Sequence, residues 1–201
     1  MSFNLTKSEL IQKFQLRSPV PYHTESLKRL SHLDPSSLRK ASVLIGLVER
    51  NGGLNVIFTK RARHLKHHPG QISFPGGKFE IHDLNLARTA LRETYEEIGI
   101  EATRVQLIGK MLELPTISQF SVTPFLGFIE PQYTSHIDRN EVEEIFEVPL
   151  EVVINPDNMK SQTFLIRNHS HRVFALSYQR YFIWGMTAQI IQALQRQILS
   201  H

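Results

Sequence analysis

Residues 76–100, GGKFEIHDLNLARTALRETYEEIGI, decide how the chain is read. A glycine pair leads into a helix that carries Arg92, Glu93, Glu96 and Glu97 and stops at Gly99. Counted at 100° per residue from Ala87, Leu91, Thr94 and Ile98 fall within about 40° and form the expected buried stripe. The three glutamates fall between roughly 180° and 280°, on the opposite side. Like charges at this spacing repel by about 0.2–0.5 kcal/mol per pair. Gly99 suits the left-handed residue that ends a helix, so the acids sit in the last turn, where the macrodipole disfavours negative charge. A cation against them offsets both costs, and carboxylate oxygens are the preferred ligands of a hard divalent metal. Arg92, one turn before Glu96, can pair with it and hold its rotamer. A solvated acidic face is the ordinary explanation of a Glu-Glu pair; the flanking glycines and the Arg-Glu dipeptide argue against it here.

The rest of the chain has the composition of one globular domain. It is 201 residues long, 41% hydrophobic and 21% charged, enough for one sizeable core and cramped for two domains. The absence of cysteine excludes disulfides and thiolate metal sites. No window approaches the ~18 apolar residues of a membrane helix, and the first residues lack the apolar run of a signal peptide; a cytoplasmic protein without a membrane partner is expected. The formal charge is +4. That excess is small, and its bases, dense over 60–78, are segregated from acids dense over 93–101 and 138–151. A basic patch beside an acidic metal site suits a small phosphorylated ligand better than nucleic acid.

In chain order, residues 5–16 read as an amphipathic helix broken by Ser18-Pro19-Val20-Pro21, and 24–39 as partly helical with a break at Asp34-Pro35. Residues 1–36 form a leader expected to pack on the domain at 37–201, with a homodimer contact as the alternative. Residues 41–49 and 55–59 read as strands joined by the turn Asn51-Gly52-Gly53. Residues 104–112 are a strand, and so are 122–129, where Pro124 points to an edge position or a strand start. Residues 140–146 read as a short acidic helix or turn, 173–178 and 181–184 as a hairpin, and 186–199 as a helix with Ile190, Ile191, Leu194 and Ile198 inward. Without strict βαβ alternation, this mixture indicates an α+β class or mixed-sheet sandwich.

Just upstream lies TKRARHLKHHPGQISFPGG, residues 59–77. Lys60, Arg61, Arg63 and Lys66 can meet phosphate, Arg61 bidentately. Gly70, Gly76 and Gly77 allow close backbone approach. A loop this basic is otherwise an ordinary solvated surface. His64, His67 and His68 suggest zinc, but with oxygen ligands adjacent and no cysteine a ligand-orienting or packing His68 is the better reading.

These two stretches resemble known motifs. Residues 77–100 resemble the Nudix box, G-x5-E-x7-R-E-U-x-E-E-x-G-U, with Asp83 in place of its first glutamate and one extra residue before Arg92. The upstream stretch resembles the signature of the coenzyme A diphosphatases of that family, matching at Thr59, Arg61, Ala62, Gly70, Phe74, Pro75, Gly76 and Gly77, with Lys66 for an arginine. Segments 114–127, 140–150 and 181–190 look like the same group. The resemblance implies a Nudix α/β/α sandwich with a mixed β-sheet, and hydrolysis of coenzyme A to 4′-phosphopantetheine and adenosine 3′,5′-bisphosphate. It implies Mg²⁺ or Mn²⁺ held by Glu93, Glu96, Glu97 and the Gly77 carbonyl. Arg92, Glu93, Glu96 and Glu97 form the implied catalytic set, and Arg61, Lys66, His68, Gly76 and Gly77 the implied substrate contacts. Glu97, Glu141 and Glu144 compete as proton acceptor, and Glu141 and Glu144 read equally well as acids at a helix N-terminus. The Thr116–Phe120 loop is a strand connection that can reach the ligand, and Trp184 is expected in the core rather than as a stacking platform. ADP-ribose or NADH hydrolysis, mRNA decapping and a non-catalytic ligand-binding module are the competing functions.

Overall fold

The computed structural model describes residues 4–30, 32–166 and 169–199. Thr6 opens helix α1 (Lys7–Gln15) with a capping box, its hydroxyl accepting from the Glu9 N–H while the Glu9 carboxylate accepts from the Thr6 N–H at 2.8 Å. A short α2 (Thr24–Leu27) and single 3₁₀ turns at 28–30 and 35–37 follow. Residues 24–39 are thus helical in part, over 24–30 and again over 35–37, where Asp34 caps the second turn.

Strand β1 (Arg39–Arg50) has eight consecutive buried residues, as a strand covered on both faces must. Successive side chains of a strand point to opposite faces. Val43, Ile45 and Leu47 accordingly join one apolar cluster, and Leu44 and Val48 another. After the turn comes β2 (Gly53–Arg61), then the two short strands β3 (Ile72–Ser73) and β4 (Gly76–Lys78), and then helix α3 (Leu86–Ile98). Next come β5 (Val105–Lys110), β6 (Leu114–Pro115) and β7 (Phe120–Ile129). β8 (Val142–Pro149) and α4 (Leu150–Ile154) lead to β9 (Met159–Ile166), β10 (His169–Tyr178), β11 (Tyr181–Trp184) and α5 (Met186–Leu199).

The main sheet runs β3-β2-β1-β7-β5, with β4 on β1, β6 on β7 and β8 on β2. It is mixed: β1 pairs with β7 in parallel and with β2 and β4 antiparallel. Helix α3 covers one face through Ala90 and Ile98 against Leu44, Ile57 and Phe125. Helices α1, α4 and α5 cover the other, placing Leu10, Ile154, Ile190 and Leu194 with Ile45, Val56 and Phe58. The α/β/α sandwich follows from these two clusters. Strands β9 to β11 form a second, antiparallel sheet.

Two expectations are corrected. Residues 142–149 form a strand, not an acidic helix, because their glutamates meet cations across or beside the β2 pairing: Glu143 meets Lys60 at 2.8 Å and Glu147 meets Arg50 at 2.6 Å. Strand β7 lies inside the sheet. Pro124 is tolerated there because it falls between Phe125–Ile129, which pair with β5, and Ser121–Val122, which pair with β6. The lost N–H removes one ladder bond, while the Pro124 carbonyl still accepts from the Met111 N–H at 2.9 Å.

Helix α1 is bound into the domain. Leu10 is fully buried, and the Gln197 side-chain amide of α5 donates to the Phe14 carbonyl at 3.1 Å. Leu10→Ala is therefore expected to cost about 2–5 kcal/mol in denaturant unfolding. Leu16→Ala, at a residue 77% exposed one step past the same helix, is expected to change stability by under about 0.5 kcal/mol.

Candidate active site

Helix α3 is fixed at both ends. The Asn85 side chain accepts from the Arg88 N–H at 3.0 Å. At the other end Gly99 has φ 75°, and a Cβ there would come within 2.7 Å of the His136 backbone nitrogen. Glycine meets both demands. The following loop satisfies the last carbonyls: His136 N–H donates to Ile98 O at 2.9 Å and Asp138 N–H to Glu97 O at 3.0 Å.

The three glutamates are not alike. Glu96 is exposed, Glu93 partly buried, and Glu97 is 4% exposed. The expectation that all three lie opposite the buried stripe is thus corrected for Glu97. The buried arc of α3 also takes in Thr89 and Ala90, and Glu97 lies along it, against the β4 backbone. Gly76 N–H donates to Glu97 Oε2 at 3.3 Å. Gly76 has φ 155°, and a side chain there would strike Ser42 O at 2.3 Å; a Cβ on Gly77 would lie 2.4 Å from the Glu93 carboxyl. The two glycines let two carboxylates rest against main chain.

Arg92 organises the group. Its Nε donates to Asp83 Oδ1 at 2.9 Å and one terminal nitrogen to Asp83 Oδ2 at 2.9 Å. The other terminal nitrogen reaches Glu93 at 3.1 Å and Glu96 at 2.7 Å. The Lys78 carbonyl takes a further bond at 2.9 Å. Asp83, 5% exposed, also accepts from the Thr89 hydroxyl at 2.9 Å and the Glu80 N–H at 3.0 Å. The bidentate Arg92 fork is the main reason its carboxyl is held well below the usual carboxylate range. Replacing the box's first glutamate by aspartate therefore leaves the arginine anchored.

Electrostatics separate the remaining acids. Burial raises Glu93 above its ordinary value against the pull of Arg92. Burial pushes Glu97 up to about 8; Gly76 N–H resists, the charges of Glu93 and Glu141 add to the rise, and Arg61 opposes it. Two desolvated carboxyls facing each other and a third acid form a site short of positive charge. Among the described residues no three His, Asp or Glu side chains converge tightly enough to hold a metal ion. The donors suit a hard divalent cation in kind, being oxygen throughout and short of countercharge.

The basic stretch divides. Lys60 and Arg63 are both bound to Glu143, at 2.8 and 3.2 Å. Arg61, at the end of β2, acts on the Glu97 charge, and its backbone N–H is fixed by Gln71 O at 2.9 Å. Lys66 and His68 lie exposed on the loop, His68 at φ 54°. His64 meets the Asn140 carbonyl at 3.0 Å, so the histidines do not gather. Of the two downstream acids, Glu141 is exposed and its charge adds to the rise at Glu97, whereas Glu144 accepts from Tyr181 at 2.7 Å and from Arg180. Trp184 is not in the core; it is 46% exposed. Asp83 is the site member that residue patterns alone left in doubt; its position six residues after Gly77 was the available signal.

Residues 38–167 match the family model of the NUDIX domain. The chain belongs to the Nudix hydrolase family. It is 38% identical over 195 residues to the uncharacterized Nudix hydrolase NudL of Enterobacter sp. (strain 638), covering 97% of this chain and 96% of that one. The NudL of Yersinia pestis (strain Pestoides F) is 37% identical over 191 residues, covering 95% and 94%. Among solved structures, a MutT/nudix family protein from Enterococcus faecalis superposes with a TM-score of 0.49 at 12% identity, over 95% of this chain and 73% of that one. An Ap4A hydrolase binary complex from C. elegans does so with a TM-score of 0.48 at 18% identity, over 55% and 80%. Nudix hydrolases cleave phosphorus-containing anhydrides, and that is the chemistry of this chain.

In this Nudix hydrolase the Asp83–Arg92 pair carries a pH signature. Because the Asp83 carboxyl is depressed, its contribution is present above the unfolded value of about 3.9 and is lost as pH falls towards the folded one. Asp83→Asn is expected to cost about 3 kcal/mol at pH 7, since it leaves Arg92 partly buried without its main partner. The gap from wild type should narrow steadily below about pH 4, as read by urea unfolding at pH 7, 5 and 3.

Proposed function

We propose that the protein hydrolyses the diphosphate of coenzyme A, and of its acyl thioesters, to 4′-phosphopantetheine and adenosine 3′,5′-bisphosphate. The observation that carries the reading is Arg61. It belongs to the stretch resembling the coenzyme A diphosphatase signature and ends β2, its backbone N–H held by Gln71 O at 2.9 Å, while its neighbours Lys60 and Arg63 are bound to Glu143. A guanidinium so placed can grip a phosphate with two parallel bonds beside the carboxylates.

Mg²⁺ or Mn²⁺ would be held by Glu93, Glu96 and Glu97 with the Gly77 carbonyl. When bound, such an ion polarises phosphoryl oxygens and makes water a better nucleophile at neutral pH. The chain's own residues do the rest. Asp83 and Arg92 set the rotamers of Glu93 and Glu96. Gly76 and Gly77 bring main chain against the carboxylates. Glu141 accepts the water proton, having no competing ion pair of the kind that occupies Glu144. Lys66 and His68 face solvent, where they can meet the adenosine phosphates.

Two measurements test this. In a Mg²⁺- or Mn²⁺-supplemented panel, coenzyme A should be cleaved faster than ADP-ribose and NADH, and removal of its 3′-phosphate should lower kcat/KM. Chelator should abolish turnover. A better rate on ADP-ribose or NADH assigns the site to another nucleoside diphosphate derivative, and no turnover of any substrate assigns it to binding alone. Glu96→Gln and Glu141→Gln should each lower kcat by about 10²–10⁴-fold, whereas Glu144→Gln should stay within about threefold of wild type.

A further inference from the structure

We propose that the solvent-facing side of the β9–β11 sheet is the subsite for the apolar, acyl-bearing arm of the substrate. This rests on the coenzyme A reading and extends it to the part of the molecule remote from the phosphates. Register places Phe182 opposite Ser177 and Trp184 opposite Ala175. It also places Val173 opposite Gln162 and His171 opposite Phe164. Directly opposed residues point to the same side of a sheet, so Phe164, Val173, Ala175, Phe182 and Trp184 share one face. On the other face Phe174, Leu176 and Ile183 are buried, whereas the β9 end is open there too, with Leu165 76% exposed.

A sheet with one face on the core should turn polar on its open face. This one does not. Phe164 is 43%, Phe182 57% and Trp184 46% exposed. Lys160, Gln162, His171 and Ser177, also on that face, bring no carboxylate to repel a phosphorylated ligand.

The face adjoins the phosphate end of the site. Trp184 precedes Gly185, where a Cβ would come within 3.6 Å of Gln71 Nε2. The Gln71 carbonyl in turn accepts from the Arg61 N–H at 2.9 Å. The Thr187 hydroxyl anchors the same turn to Ile72 O at 3.0 Å. The turn after Trp184 and the backbone of Arg61 thus flank the same residue, Gln71. A ligand whose diphosphate lies at Arg61 and the glutamates can lay a flexible arm across Gln71 onto these rings. An acyl chain resting there takes water off both surfaces, so affinity should rise about two- to fourfold per methylene over the first carbons. A second copy of the chain is the competing occupant.

The chain has one tryptophan, so its emission reports on this face alone. Decanoyl-pantetheine, which lacks the diphosphate, is titrated into the full-length protein. A saturable blue shift that pantetheine does not produce is expected, and no shift overturns the subsite. In steady-state kinetics, Phe182→Ser and Trp184→Ser should raise KM for decanoyl-coenzyme A about tenfold and leave kcat/KM for coenzyme A within about twofold. Leu16→Ser should alter neither. Equal losses on both substrates, or on neither, overturn the proposal. A blue shift that grows with protein concentration in the absence of ligand gives the face to a second copy and overturns it too. If neither ester is cleaved, the coenzyme A reading fails, and the decanoyl-pantetheine titration still decides the subsite.

Discussion

The site depends on one guanidinium shared among three carboxylates. Arg92 binds Asp83, Glu93 and Glu96 at once, with the Lys78 carbonyl as a fourth partner. Without it, α3 would present several acids in its last turns against the field of its own dipole. With it, Glu93 and Glu96 are each neutralised from one side. Glu97 receives no such relief. It lies behind the pair, in the packed arc of the helix, with a backbone N–H from Gly76 and the distant charge of Arg61. The charge deficit is thus concentrated at the most buried acid, and this is the physical basis for expecting a cation there.

That deficit explains the glycines. A carboxylate can lie against main chain only where no Cβ intervenes, and β4 supplies Gly76 and Gly77 at that point. β4 in turn pairs with Ala41–Val43 of the central strand. The burial of β1 between two helical layers thus fixes the backbone on which the acids rest. Helix α3 is located by the same sheet, through Ala90 and Ile98 against Leu44 and Ile57. Core and site share their supports.

The mixed α+β class, the hairpin ending in β11, the C-terminal helix and the glycine that ends α3 were legible from periodicity and turn chemistry, and the α/β/α layering from the motif resemblance. What was not legible has physical causes. A helical wheel centred on Ala87 sees one stripe, whereas α3 is covered over a wider arc, and that arc reaches Glu97. The acids of β8 hid a strand because their partners, Lys60 and Arg50, lie on β2 and β1, many residues away. Pro124 misled because an interior strand can give up one ladder bond between two short neighbours. Asp83 looked doubtful as a shortened glutamate, but a buried aspartate with three kinds of donor holds the arginine at both oxygens. Trp184 looked like core because tryptophan usually is.

The acids of β8 and the residue before it show how local pairing sorts one charged run into separate tasks. Glu143 ties down Lys60 and Arg63, which removes two cations of the basic stretch from competition for ligand. Glu144 joins Arg180 and Tyr181, and Tyr181 stacks on Phe146 at 3.6 Å between ring centres, fastening the second sheet to the first. Glu147 gathers Arg50, Asn55 and Tyr133. Glu141, one residue before the strand, escapes these arrangements and adds its charge to Glu93 and Glu97. A run that reads as uniformly acidic therefore contains three structural anchors, and the pairing of each with its neighbours sets them apart from Glu141.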